Sequence, residues 1–100
     1  MEASNIAESA RKLVKANNLD SVIEVIQMRI EDITPDLIAA NSVDVIVSEP
    51  LGLYLYNERM LETYVIARDK FLKKGGRMFP TECLFHVMPF EDMEIYYEVL

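Results

Sequence analysis

The chain has no tryptophan, one cysteine, one histidine, three glycines and four prolines in 100 residues. A single thiol, Cys83, excludes an internal disulfide framework and a cysteine-built zinc site, and points to a reducing compartment. No apolar run reaches the length needed to span a bilayer, and no secretory signal pattern opens the chain, so a membrane is not among the expected partners. Basic residues are scarce: ten Lys and Arg stand against seventeen Asp and Glu, a formal charge of −7. That balance argues against nucleic acid as the direct ligand and is compatible with a basic partner. There is no internal repeat and no low-complexity tract. What is present is an apolar fraction of 51%, enough for a globular chain, in a length that makes at most one small domain or a piece of a larger one.

Strands and helices alternate in the pattern. Ser4 is a good N-cap, and Ile6, Ala10, Leu13, Val14 and Leu19 are spaced for one buried helix face that Asn17-Asn18 stops. Val22 to Ile26 reads as a β-branched strand. Arg29 to Ile33 is a short connecting piece, Thr34-Pro35-Asp36 opens a turn, and Asp36 to Ala40 suits one helical turn. Val43 to Val47 is a near-continuous apolar strand, of the kind covered on both faces of a parallel sheet. Glu49 to Asn57 is loop, Met60 to Lys73 is helix, and Gly75-Gly76 is its stop signal. Arg77 to Pro80 and Thr81 to Pro89 read as strands, and Glu91 to Leu100 as a helix without a closing cap. The order implies a mostly parallel, right-handed α/β sheet, with ligands bound outside the carboxyl ends of its strands. Glu31 and Glu49 stand at or just after predicted strand ends. Glu2 would stand after a strand that precedes Met1.

The segment from Ser48 to Met60 is the most informative part. It places Glu49 and Glu58 nine residues apart in one loop, held in shape by Pro50 and Gly52. Two carboxylates presented at the end of a buried strand suit a planar cation with several N–H donors, which is a guanidinium. The bland alternative is a pair of solvated loop acids. Glu2 competes between ligand and helix N-terminal acid, and Met60 between substrate contact and packing. Tyr54 and Tyr56 line a channel or pack the loop. Arg59 is expected to brace the loop by pairing with an acid, and His86 and Cys83 to be structural.

These residues resemble the protein arginine N-methyltransferases. The likeness runs through Glu2-Ala3-Ser4, Leu13 to Leu19, Ser48-Glu49-Pro50, Asn57 to Glu62 and Phe79-Pro80, and covers nearly the whole chain. Ser-Glu-Pro and Asn-Glu-Arg-Met-Leu-Glu look closest to the coactivator-associated (CARM) subgroup. The resemblance implies a partial Rossmann-like class I methyltransferase sheet in 1–80 and the start of a C-terminal β-barrel domain in 81–100. It implies S-adenosyl-L-methionine as cofactor, with Glu2 and Ala3 at the ribose, Ile30 and Glu31 at the adenine, and Ser48 at the same site. Glu49 and Glu58 would be the catalytic pair, with Met60 and Tyr54 contacting the substrate arginine and no metal involved.

The chemistry accounts for the glutamates. A guanidinium stays protonated at neutral pH and is a poor nucleophile. Paired carboxylates can hold one terminal nitrogen in line with a methyl donor, and orientation of that kind lowers barriers by about 7–11 kcal/mol in favourable cases. The resemblance further implies arginine-bearing protein substrates (histones, RNA-binding proteins or coactivators), asymmetric dimethylation, a homodimeric parent, and residence in nucleus and cytoplasm. The family's glycine-rich cofactor loop would precede Glu2 and its Thr-His-Trp loop would follow Leu100, so a fragment inactive by itself is expected. Two other readings remain: a truncated interaction module, and a methyltransferase acting on exocyclic base amines, whose second proline and aromatic are missing after Ser48-Glu49-Pro50-Leu51.

Overall fold

Helix α1 (Ile6–Ala16) opens the described chain, followed by a 3-10 turn (Ile30–Asp32), strand β1 (Val43–Val47), helix α2 (Met60–Phe71), strand β2 (Leu72–Phe79) and helix α3 (Met93–Val99). The computed structural model describes residues 1–99, with side chains through Glu98. The predicted helix end at Leu100 and its missing cap therefore lie outside the described residues.

Local chemistry sets the ends of α1. The Ser4 hydroxyl accepts a hydrogen bond from the Ile6 amide at 3.2 Å, serving one of the helix's unpaired N–H groups. At the other end the Asn17 amide and side chain both donate to the Leu13 carbonyl, and Asn18 turns left-handed at φ 56°. The expected buried face is not formed. Ala7 is buried, but Ile6 and Leu13 are 68% and 64% exposed, because among the described residues no element packs over that stripe. Nor does Val22 to Ile26 form a strand. Val22 and Ile23 donate back to the Leu19 carbonyl, folding the segment into a turn. What survives is one parallel bridge between Glu2 and Gln27, closed by Glu2 N–H to Ile26 C=O and Met28 N–H to Glu2 C=O, both 3.1 Å. A β-branched run has strand character only where a neighbour offers a ladder.

The order β1–α2–β2 is a parallel strand–helix–strand unit. Val45, Ile46 and Val47 face Arg77, Met78 and Phe79, whereas Val43 faces Leu72, so the residues between Leu72 and Arg77 bulge from the ladder. Gly75, at φ 80°, allows that bulge, and a side chain on Gly76 would stand 3.0 Å from the Asp44 carbonyl oxygen. The two glycines thus lie inside a strand that begins at Leu72, and not at a helix stop. Lys73 spans the bulge to Asp44 at 2.7 Å. β1 is not covered on both faces: Val43 and Ile46 are half-buried, while Val47 is 75% exposed.

The core consists of Ala7, Ile33, Ala67 and Phe71, with Pro50 fully enclosed. Beyond β2 the predicted strand from Thr81 to Pro89 is absent, and its apolar side chains stand largely in solvent. No barrel strand is therefore formed in the described part of 81–100. Asp92 caps α3, accepting from the amides of Glu94 and Ile95 at 2.9 and 3.3 Å. The radius of gyration, 18.5 Å, exceeds the ~13 Å of a compact chain of this length. No helix is long and apolar enough to cross a membrane among the described residues.

Candidate functional site

A cleft of about 400 Å³ opens at the carboxyl end of β1. That is where an α/β sheet is expected to hold a ligand. Ile46 to Ser48 lie along it, α2 supplies Met60, Thr63, Tyr64 and Ala67, and the opposite walls come from Met1–Ala3 and Met28–Glu31. All five residues predicted at the cofactor, Glu2, Ala3, Ile30, Glu31 and Ser48, line this one cleft, together with Met60. Their sequence separation is closed by the Glu2–Gln27 bridge and by the packing of α2 on the 3-10 turn.

Glu2 is half-buried, and its Oε1 accepts the Ser4 amide at 2.7 Å. That bond, with help from the Ser4 hydroxyl, holds its carboxyl below the usual value of 4.5. Glu31 is held more firmly. Its Oε1 accepts the Thr63 hydroxyl at 2.7 Å, its Oε2 lies 3.5 Å from the Arg29 guanidinium, and its backbone carbonyl accepts Lys70 Nζ at 2.8 Å. The Thr63 bond first, and Arg29 to a lesser degree, keep its carboxyl below the ordinary range. A carboxylate has about four lone-pair sites, so Glu31 retains capacity for another donor.

Glu49, Glu58 and Tyr54 do not line the cleft. They stand on the exposed loop that leaves its rim at Ser48 and returns to it at Met60. Buried Pro50 roots the start of the loop. Its tip closes between Gly52 and Leu55, with the Leu55 amide donating to the Gly52 carbonyl at 3.0 Å. The Tyr54 amide donates to Asn57 Oδ1 at 3.1 Å. A methyl group on Gly52 would collide with Asn57 and would reach 2.8 Å from Glu58 Cγ, so the absence of a side chain there leaves room for the Glu58 side chain where it lies. Leu55 and Arg59 are both left-handed, at φ 62° and 58°. Such strain in side-chain-bearing residues concentrates at functional loops. Arg59 pairs with an acid as expected, Glu62, through two bonds of 3.0 and 2.9 Å, but the pair spans one helical turn and braces the helix start and not the loop. Tyr56 meets Phe85 edge-on at 6.2 Å, a packing contact that Tyr54 lacks, although both tyrosines are equally exposed, at 61%.

The sequence reading passed over Thr63, Tyr64 and Lys70. Their signal was the helical period itself: with Ala67, residues 63, 67 and 70 fall on the face that starts at Met60. The Tyr64 hydroxyl donates to the Pro80 carbonyl at 3.0 Å, and burial, then nearby Cys83, push its pKa up. Cys83 is half-buried, and His86 is exposed in irregular chain. Among the described residues no group of three or more His, Cys, Asp or Glu side chains could hold a metal ion.

Comparison with known proteins shows what the chain is similar to. The histone-arginine methyltransferase CARMER of Drosophila ananassae is 51% identical over 98 residues, which is 98% of this chain and 18% of that protein. CARMER of Drosophila persimilis is 50% identical over the same length. By sequence the chain corresponds to a stretch of the protein arginine methyltransferase catalytic core. A crystal structure of Arabidopsis thaliana protein arginine methyltransferase 10, described as uniquely open, agrees in fold. It matches at TM-score 0.70 and 46% identity, covering 78% of this chain and 21% of that one. No protein-family profile matches. The chain thus spans about a fifth of the length of the arginine methyltransferases it resembles.

Proposed function

We propose that the protein carrying this segment transfers methyl groups from S-adenosyl-L-methionine to a terminal guanidino nitrogen of arginine in histones and other proteins. The observation that carries the reading is the rim geometry. Ser48 and Met60 both line the cleft, so the loop with Glu49 and Glu58 is anchored to it at each end. The cleft lies within the ~300–1,000 Å³ range of ligand pockets and fits the cofactor's chemistry. Glu2 offers a carboxylate for ribose hydroxyls, Glu31 one for the adenine amine, and Ile30, Ile46 and Ala67 apolar surface for the ring. When bound, S-adenosylmethionine supplies a sulfonium methyl.

The residues of this chain do the rest. Glu49 and Glu58 accept N–H bonds from the guanidinium and align one terminal nitrogen with that methyl. Their negative charge draws the group's positive charge toward the nitrogens they contact most closely and leaves lone-pair density on the attacking atom. The proton departs late, so no strong base is needed early. Tyr54 contributes to the approach of the arginine, and Met60 stands beside it. Residues 1–80 are the partial cofactor-binding domain and 81–100 the start of the barrel domain. Asymmetric dimethylation, a homodimeric parent, and a nuclear and cytoplasmic location are part of the same proposal, supported by the likeness to arginine methyltransferases.

Glu49→Gln in the full-length protein tests the clamp. Methylation of histone should be abolished while cofactor affinity, measured by calorimetry, stays within about twofold, because Glu49 is not in the cleft wall. Near wild-type activity would refute it. The exposed apolar side chains of α1 and of Leu84 to Phe90 favour a second reading, in which the segment pairs with a longer relative. Co-elution with such a relative on a sizing column would support that reading.

A further inference from the structure

We propose that Lys70 is a positioning residue for the cofactor site, acting through Glu31. The proposal rests on the reading of Glu31 as the carboxylate that faces the adenine amine. The 3-10 turn that presents Ile30 and Glu31 has only three residues and weak internal bonding, Asp32 N–H to Arg29 C=O at 3.2 Å and Ile33 N–H to Ile30 C=O at 3.4 Å. So short a turn does not fix its own place. External bonds do. α2 grips Glu31 twice, with Thr63 on the carboxylate at 2.7 Å and Lys70 on the backbone carbonyl at 2.8 Å. Buried Ala67 lies between them on the same helix face, and its small side chain allows the close approach.

The two grips do different things. Thr63 fixes where one carboxylate oxygen points. Lys70 fixes the peptide from which the side chain springs, with a charge-assisted bond stronger than a neutral one. The Lys70 carbonyl in turn accepts the Asn41 amide at 3.1 Å, which ties the approach to β1 to the same helical turn. The third contact of Glu31, to Arg29 at 3.5 Å, is longer than the 2.8 Å bond from Lys70, which is likewise solvent-exposed, and is the weaker restraint. Loss of Lys70 therefore leaves the turn free to shift, and the carboxylate loses its aim at the ligand.

The test uses the full-length protein and two probes in binding calorimetry: S-adenosylhomocysteine, and its purine analogue with hydrogen in place of the exocyclic amine. Lys70→Met keeps the apolar stem and removes the donor. It should weaken the first probe roughly three- to tenfold, the size of one hydrogen bond's net contribution, and change the second by less than about twofold. Lys70→Arg, which restores a donor, should recover most of the loss. A merely structural role would weaken both probes alike, and that result, no change for either, or failure of Lys70→Arg to recover affinity would overturn the proposal. Glu31→Ala separates the layers. If it does not discriminate between the probes, the adenine assignment itself is wrong. If it discriminates and Lys70→Met does not, only the role of Lys70 fails.

Discussion

A single methyl group added at Gly52 should cripple methyl transfer while leaving the cofactor site intact. The new Cβ in Gly52→Ala would stand 2.8 Å from Glu58 Cγ and would collide with the Asn57 side chain. Ordinary van der Waals contact begins near 3.4 Å, so Glu58 Cγ must retreat by about 0.6 Å. Asn57 must swing away and release the Tyr54 amide, at a cost of about 1 kcal/mol in a loop where water can replace the bond. That is too little to unfold the protein. Misplacing a reacting group by ~1 Å costs on the order of 100-fold in rate, so a displacement of this size on a clamp carboxylate should lower kcat/KM about 10- to 100-fold. Gly52 does not line the cleft, so cofactor affinity should stay within about twofold. The assay is steady-state methylation of a histone peptide by the full-length protein, beside cofactor calorimetry. Activity within about twofold of the parent would refute the reasoning, as would an equal loss of cofactor affinity.

Two further outcomes are expected. Thr63→Val removes the first cause of the lowered Glu31 pKa, and because a depressed carboxyl stabilises the fold only while ionised, the stability gap between parent and variant should be full at neutral pH and shrink as pH falls below 4.5 through the folded-state value. Urea midpoints measured across that range check the sign, and a gap constant into acid would exclude Glu31 as the group involved. The 100-residue chain alone should show no micromolar binding of S-adenosylmethionine in calorimetry, because its cleft and apolar faces are open and its core is only a few side chains; detectable micromolar affinity would refute this.

The elements legible in the sequence are those whose signals are local. Val43 to Val47 and the helix from Met60 needed only their own apolar pattern, and the stop at Asn17-Asn18 only its side-chain chemistry. The convergence of Glu2, Ile30, Glu31 and Ser48 on one cleft came from the resemblance, since nothing in their spacing shows the Glu2–Gln27 bridge that joins them. The failures share a cause. Val22 to Ile26 and Thr81 to Pro89 have strand composition, but a strand exists only as a member of a ladder; the first reaches a single bridge at its end, where Ile26 accepts the Glu2 amide, and the second pairs with nothing among the described residues. The stripe on α1 likewise predicts a buried face, and a pattern cannot say which element will cover it. Gly75-Gly76 misled for another reason. The same conformational freedom that ends a helix also permits a bulge, and the choice was made by the close approach of Asp44 to Gly76.

On the proposed function, helix α2 would let one short stretch serve two ends of a bisubstrate reaction. From Met60 to Lys70 it rises about 15 Å, enough to connect the rim where the carboxylate loop returns with the turn that presents Glu31. The joint between loop and helix is Arg59, which is left-handed and provides no side-chain cap, so the loop's direction is set there and not by continuation of the helix. A left-handed, side-chain-bearing joint costs on the order of 1 kcal/mol, and the two-bond pair with Glu62 helps hold it. Loop geometry and turn geometry are thus fixed by separate contacts, the first within the loop and the second on α2. Gly52 and Asn57 govern the first, Thr63 and Lys70 the second, which is why substitutions in the two sets should separate arginine turnover from cofactor affinity.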